Sequence, residues 1–320
     1  MRLPIPAVAT AVLAGVAYGL AARLVFESDS PLTGFGSMTF AFVVLVPLAV
    51  GYLSVELDRR GPRRTRRAVL IPALTVVACL AFVLAAGLEG IICVILIAPL
   101  FLLFAALGGV LSVAVRRNAR EPRMHASALA TVLLLPYLAA PLENRIPLPD
   151  TRRTVDTRVV VHADAETVWR NLVRPKGIRR EENRTRLAHR IGFPRPVTAT
   201  LSHEGVGGSR YAIFERGVML RETVTEWVPG RRMAFTIDPA NIPARSLDEH
   251  VTVGGPFFDV IDGRYEIVPL DSGRVELRLV TTHRLSTHFN PYAGFWTDLL
   301  MRQIQENLLH IVRTRAEAGR

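Results

Sequence analysis

Four ionisable residues in the carboxyl-terminal half have the types and positions to do chemistry: Glu222, His250, Asp259 and His283. Side chains alternate across a strand, so each apolar face can be followed along the chain. Within residues 274–284, Val275, Leu277, Leu279, Thr281 and His283 share one face, and Arg274, Glu276, Arg278 and Arg284 the other. His283 is therefore predicted to point inward. Within 257–267 the apolar set is Phe257, Asp259, Ile261, Gly263, Tyr265 and Ile267, which predicts an inward Asp259. Leu220 and Val224 share their face with Glu222 and Glu226. His250 lies in DEHVTVGGPFFDV, a Gly-rich stretch that reads as a rim. A histidine that titrates near neutrality, backed by a carboxylate, is the equipment of a general base.

The same residues have a structural reading. A buried carboxylate is too costly to leave alone, so Glu222 and Asp259 call for a partner such as Arg210, Arg221 or a tyrosine hydroxyl. Both histidines equally read as hydrogen-bonded core or rim groups. No HxH or HxxxH pair supports a metal site, and no metal or cofactor is expected. Gly205-Val206-Gly207-Gly208 runs into a strand rather than a helix, so it reads as a turn and not a phosphate cradle. Cys79 and Cys93, the only cysteines, lie in apolar runs and read as small packing residues.

The elements that position these groups follow a definite order. An extended segment, 154–162, leads to Asp164, a helix N-cap, and to a short helix burying Val168, Trp169 and Leu172. Six further strands are predicted at 197–203, 208–216, 218–227, 232–237, 257–269 and 274–284, separated by turn signals. A long helix from about Asn290 to Arg315 closes the chain. Trp296, Leu300, Ile304, Leu308 and Ile311 form its apolar stripe, with Asp298, Arg302, Glu306 and Arg313 on the other side. The stripe must be buried, and the sheet's concave face is the available surface.

In its opening TRVVVHADAETVWRNL, its hairpin ERGVMLRETVTEWVPGRRMAFTID and its closing DGRYEIVPLDSGRVELRLVTTHR, this half resembles the SRPBCC superfamily. Those helix-grip proteins include START lipid-transfer domains, birch-pollen-allergen-like proteins and polyketide cyclases. The resemblance covers residues 154–316 and implies a seven-stranded antiparallel sheet gripping the last helix, an α+β fold with a hydrophobic cavity between them. Leu220, Val224, Phe257, Ile261, Tyr265, Leu277, Leu279, Trp296, Leu300 and Ile304 are its expected walls.

The first 143 residues have a different composition. Five segments approach the roughly 20 apolar residues that cross a bilayer: 5–26, 36–55, 68–87, 91–115 and 126–142. The last, with Pro136 and Pro141, is the shortest. Residues 1–143 thus read as a helical transmembrane anchor, 144–153 as a linker and 154–320 as a water-soluble domain. The connection ESDSPLTGF is acidic, whereas ELDRRGPRRTRR and RRNAREPR are basic. Positive-inside places the basic loops in the cytoplasm of an inner membrane and the soluble domain outside it. Should the fifth segment fail to cross, the domain would lie in the cytoplasm.

Ten of the 12 arginines in the first 143 residues lie in those two basic loops, and the soluble half interleaves arginines with acids. No nucleic-acid partner is therefore expected; the bilayer is. Three functions follow: a tethered domain holding a lipid or hydrophobic small molecule, a cyclase or dehydratase using the same cavity, or an interaction module of the envelope. The first is favoured, because no catalytic constellation stands out.

Overall fold

The computed structural model describes residues 5–28, 36–58, 65–118, 122–243, 250, 252–271 and 273–319. The chain divides into two compact units, Met1–Leu148 and Pro149–Arg320.

The first unit holds α1 (Ile5–Phe26), a π turn (Ala41–Leu45) continued as α2 (Val46–Glu56), α3 (Thr65–Ala85), α4 (Ile91–Asn118) and α5 (Pro122–Glu143). Among the described residues, four helices are long and apolar enough to cross a membrane: α1, α3, α4 and α5. The short member is the second segment, not the fifth: a five-residue π turn continued by an 11-residue helix. Pro47 has no N–H to give to the helix ladder, and just before it the Val46 N–H donates to the Ala41 carbonyl, a one-residue slip. This segment is also well enclosed, with Val43, Val46, Ala49, Tyr52 and Val55 at most 2% exposed. The fifth helix runs through Pro136 and Pro141, and in the turn before Pro136 the Tyr18 hydroxyl donates to the Leu133 carbonyl at 2.8 Å.

Glycines let the helices touch. A Cβ at Gly51 would sit 1.9 Å from the Ala105 carbonyl oxygen, one at Gly108 1.9 Å from that of Leu48, and one at Gly109 2.0 Å from that of Ala68. Backbone contact of this kind supplies the dispersion that holds helices together in lipid. Three arginines at the helix ends are paired. Arg23 meets Glu89 at 2.9 Å, Arg116 meets Glu56 at 3.0 Å and Arg67 meets Asp58 at 3.4 Å. The Glu143 carboxylate accepts from the Ala41 N–H at 2.8 Å, capping the start of the second segment. Arg59, Arg60, Arg63, Arg64, Arg120 and most of ESDSPLTGF lie outside the described residues.

The second unit runs β1 (Thr151–Val161), α6 (Ala165–Val173), α7 (Leu187–Arg190), β2 (Pro196–Leu201), β3 (Ser209–Phe214), β4 (Met219–Val228), β5 (Arg232–Asn241), β6 (Phe258–Asp271), β7 (Arg274–Leu285) and α8 (Asn290–Ala318). Its strands form one sheet in the order β1-β7-β6-β5-β4-β3-β2, with every neighbouring pair antiparallel. The Asp164 side chain accepts from the Thr167 N–H at 2.8 Å and starts α6, which buries Val168, Trp169 and Leu172. Helix α8 packs on β1 and β7. It joins a core that includes Val155, Leu277, Leu279, Met301, Leu309 and Val312.

Three expectations are corrected. First, β1 begins at Thr151, three residues inside the stretch read as connector. Second, β6 shifts register between Val260 and Asp262. One extra residue in a strand reverses every face beyond it. Phe258 and Val260 therefore face the core on one side of the bulge and Gly263, Tyr265 and Ile267 on the other, while Asp259 turns away. A second shift, between Val224 and Glu226, turns Glu226 out to pair with Arg232 at 3.1 Å and brings Trp227 against Trp169. Third, the buried face of α8 is wider than the stripe: Leu300 and Ile311 are buried as expected, but they are not alone. Met301, Gln305, Leu309, Val312 and Ala316 are buried, Trp296 and Ile304 only half-buried, and Asp298 pairs with Arg153 at 2.5 Å instead of facing solvent.

Gly108→Val drives a side chain into the Leu48 backbone and is expected to abolish the monodisperse peak of the detergent-solubilised protein in size exclusion. Leu107→Ala, at a residue 47% exposed, is expected to leave that peak unchanged.

Candidate functional site

Polar groups recur along the interface between α8 and the sheet, in three clusters. The first forms the floor of a pocket lined by Leu172, Pro175, Ile178, Arg210, Tyr265, Leu308, Ile311 and Val312. The end of α6 and the segment after it supply one wall, and α8 the other. The pocket measures about 20 Å³, room for a water molecule or so.

Arg210 and Glu222 stand directly opposite each other on β3 and β4, 5% and 7% exposed, and the guanidinium Nη1 donates to the Glu222 carboxylate. Nε donates to the Val173 carbonyl at 3.3 Å, tying the end of α6 to the sheet. Tyr265, on β6, is 5% exposed. Burial pushes its hydroxyl up to about 12, with Arg210 opposing and Glu222 reinforcing the shift. Glu222 is therefore held in an ion pair and is not a free base.

Gln305 is the second cluster. It is 1% exposed, donates to the Val155 carbonyl at 3.1 Å and to the Thr281 hydroxyl at 2.7 Å, and accepts from the Thr157 hydroxyl at 2.5 Å. One amide thus fixes the register of α8 on β1 and β7. Nearby, Asn307 accepts from the Arg184 N–H at 2.7 Å and anchors the segment between α6 and α7.

The third cluster surrounds His283, which has no exposed surface. Its Nε2 lies 3.3 Å from the Thr297 hydroxyl and 3.7 Å from Asp298. Thr297 donates its own proton to the Gly294 carbonyl at 3.2 Å, so the ring's Nε2 is the donor to it. Nδ1 is buried without a hydrogen-bond partner. Burial lowers the His283 pKa, with Asp298 opposing and Arg153 adding to the fall. The imidazole is neutral at neutral pH, sealed under the start of α8 with Phe258 beside it at 5.7 Å.

The residues singled out from sequence are thus dispersed. Tyr265 lines the pocket, Glu222 stands behind it as the partner of Arg210, and His283 belongs to the separate Arg153–Asp298 cluster. Asp259 turns out and accepts from the Gly254 N–H at 2.8 Å, bracing the loop before β6. His250 lies against half-buried Phe257, ring centroids 6.0 Å apart. Ile261 occupies the bulge and is half-buried. Val224, Leu277 and Leu279 are closed into the core, against which Leu220 packs. Leu300 is buried on α8. Of the expected wall residues, Tyr265 borders this pocket. Pro175 and Ile178 went unread as walls because they lie in an irregular segment. The inward placement of Arg210 was available from alternation with Ala212 in SRYAIF.

The strand order and the long helix across the sheet define the second unit as a helix-grip domain. No family model matches the sequence, and no curated protein does. Solved structures do, over about half of the chain. An aromatase/cyclase, Zhui, from a Streptomyces species is 16% identical, with 53% of this chain and 97% of that one covered and a TM-score of 0.34. Norcoclaurine synthase from Thalictrum flavum, crystallised with dopamine and hydroxybenzaldehyde, is 10% identical over 53% and 90%, at 0.35. A START superfamily protein from Mycobacterium smegmatis is 16% identical over 52% and 99%, at 0.35.

Trp169, Trp227 and Trp296, the only tryptophans, lie in the second unit, so their fluorescence follows its unfolding in the full-length protein. Arg210→Met leaves a buried carboxylate alone and is expected to cost about 3–5 kcal/mol by denaturant titration, with Arg210→Met/Glu222→Leu recovering most of the loss. The lowered His283 pKa means the unfolded chain takes up this proton first. Its contribution is complete above the unfolded value near 6.5 and falls as pH drops towards the folded pKa. His189 and His310 shift the same way. His283→Gln is expected to make the decline in midpoint between pH 7.5 and 5.5 shallower without abolishing it.

Proposed function

We propose that this chain is a membrane-tethered helix-grip protein of the SRPBCC type that holds a lipid or other hydrophobic small molecule between α8 and the sheet. The observation that carries the reading is the pocket itself, apolar on both walls and polar only at Arg210 and Tyr265. A few placed polar groups on an otherwise apolar surface is the usual make-up of a site for a small apolar ligand. At about 20 Å³ it admits little more than a water, so a larger ligand requires the segment around Pro175–Ile178 to part from Leu308, Ile311 and Val312. Binding is favoured over catalysis because Glu222 is engaged by Arg210, Asp259 faces away and His283 is sealed.

The first unit is the tether. Glu143, at the end of α5, reaches Ala41, and the Gly36 N–H donates to the Phe26 carbonyl, so the ends of α1 and α5 share one side. The Glu56–Arg116 and Asp58–Arg67 pairs, next to the basic loops, join the opposite ends of the helices. This supports an inner-membrane protein whose helix-grip domain lies outside the cytoplasm.

Mass spectrometry of organic extracts from the purified protein is expected to recover a stoichiometric apolar molecule from the wild type. Leu308→Trp, which fills the pocket, is expected to lose it. Wild-type protein that carries nothing and, once delipidated, takes up no fluorescent fatty ligand would contradict the proposal.

A further inference from the structure

The start of α8 carries aromatic rings that lie outside the buried core of the second unit. Phe295 is 61% exposed. Its ring lies 5.4 Å from that of Trp296, which stands 6.4 Å from Tyr292, and both of these are half-buried. That end of the helix is where the chain enters the domain. The Asn290 side chain donates to the Thr151 hydroxyl at 2.8 Å and holds the start of α8 to the start of β1. The connector that arrives there is short. Residues 144–150 join α5 to β1, and seven residues span at most about 25 Å. Ile146 and Leu148 within the connector are exposed apolar residues, and Arg145 and Arg152 are exposed as well.

We propose that this aromatic end of α8 is seated in the headgroup layer of the bilayer that holds the first unit. Amphipathic rings settle at that depth, where one side meets acyl chain and the other meets water. Exposed arginines beside them meet lipid phosphates. An exposed apolar patch calls for a partner, and the short connector keeps this one within reach of lipid at all times. The seat is separate from the pocket, because α8 advances about 20 Å between Phe295 and Leu308. The proposal rests on reading the first unit as a membrane tether, and it holds whichever side of the membrane the domain occupies.

The tryptophans report this directly, since none lies in the first unit. Full-length protein is reconstituted into vesicles of dioleoyl phosphatidylcholine, or of an analogue brominated near the headgroup end of its acyl chains, where bromine quenches indole emission on contact. Lower emission is expected in the brominated vesicles, and Trp296→Phe is expected to remove the difference. Phe295→Ser, at an exposed position, is expected to shrink it. Equal wild-type emission in both vesicles would overturn the proposal. So would a difference that survives in Trp296→Phe, which then belongs to Trp169, on the helix whose Leu172 lines the pocket, or to its neighbour Trp227. A Phe295→Ser variant that splits a detergent-solubilised oligomer would assign the face to a second copy of the chain and overturn it too. Flotation with the vesicles after an alkaline wash reports the tether alone. Protein that floats without quenching leaves the tether standing, and protein that does not float contradicts both. The wild-type comparison and Phe295→Ser decide the matter should Trp296→Phe not fold.

Discussion

A guanidinium buried beneath a helix must be answered, and much of the second unit is arranged around that requirement. Arg210 needs Glu222 on the neighbouring strand, and its Nε needs the carbonyl at the end of α6. Those two demands fix β3 against β4 and hold α6 over the sheet. Tyr265 completes a polar floor under apolar walls. A buried pair contributes little net stability compared with apolar residues of the same shape.

The helix α8 is held by polar contacts as well as by burial. Gln305 ties its middle to β1 and β7, and Asn307 ties it to the segment beyond α6. Nearer its amino-terminal end, the Arg153–Asp298 pair and Thr297 enclose His283. These contacts make α8 a positioned lid on the sheet rather than a greasy plug. In the first unit the same economy holds in reverse: Arg23, Arg67 and Arg116 sit at helix ends and are paired there, and glycines bring backbones into contact between them.

The sequence carried most of the architecture. Alternation located all seven strands, the Asp164 cap located α6, and apolar run length located the helices of the first unit. What it could not carry were single-residue slips. Nothing in 257–267 announces the bulge at Ile261, yet that bulge decides whether Asp259 or Val260 enters the core. The stripe of α8 was drawn too narrowly for a related reason: Gln305 and Asn307 are polar by composition but buried, since partners on other elements satisfy them. The second segment looked long enough to span because its apolar residues begin before its helix does. Of the site itself, Glu222 and Tyr265 were legible as inward residues, and Arg210 as one of three partners open to Glu222, with Arg221 and a tyrosine hydroxyl. The walls from Pro175, Ile178 and Val312 depend on tertiary packing that no local pattern encodes.

The central claim is that an apolar molecule binds between α8 and the sheet, over Arg210 and Tyr265. A photoactivatable apolar ketone, cross-linked to the full-length protein and mapped by peptide mass spectrometry, tests it most directly. Labels on residues 172–178 and 308–312, lost in the presence of excess unlabelled ketone, are the predicted result. Labels confined to the apolar helices before residue 143, or labelling that excess ketone does not displace, would contradict it.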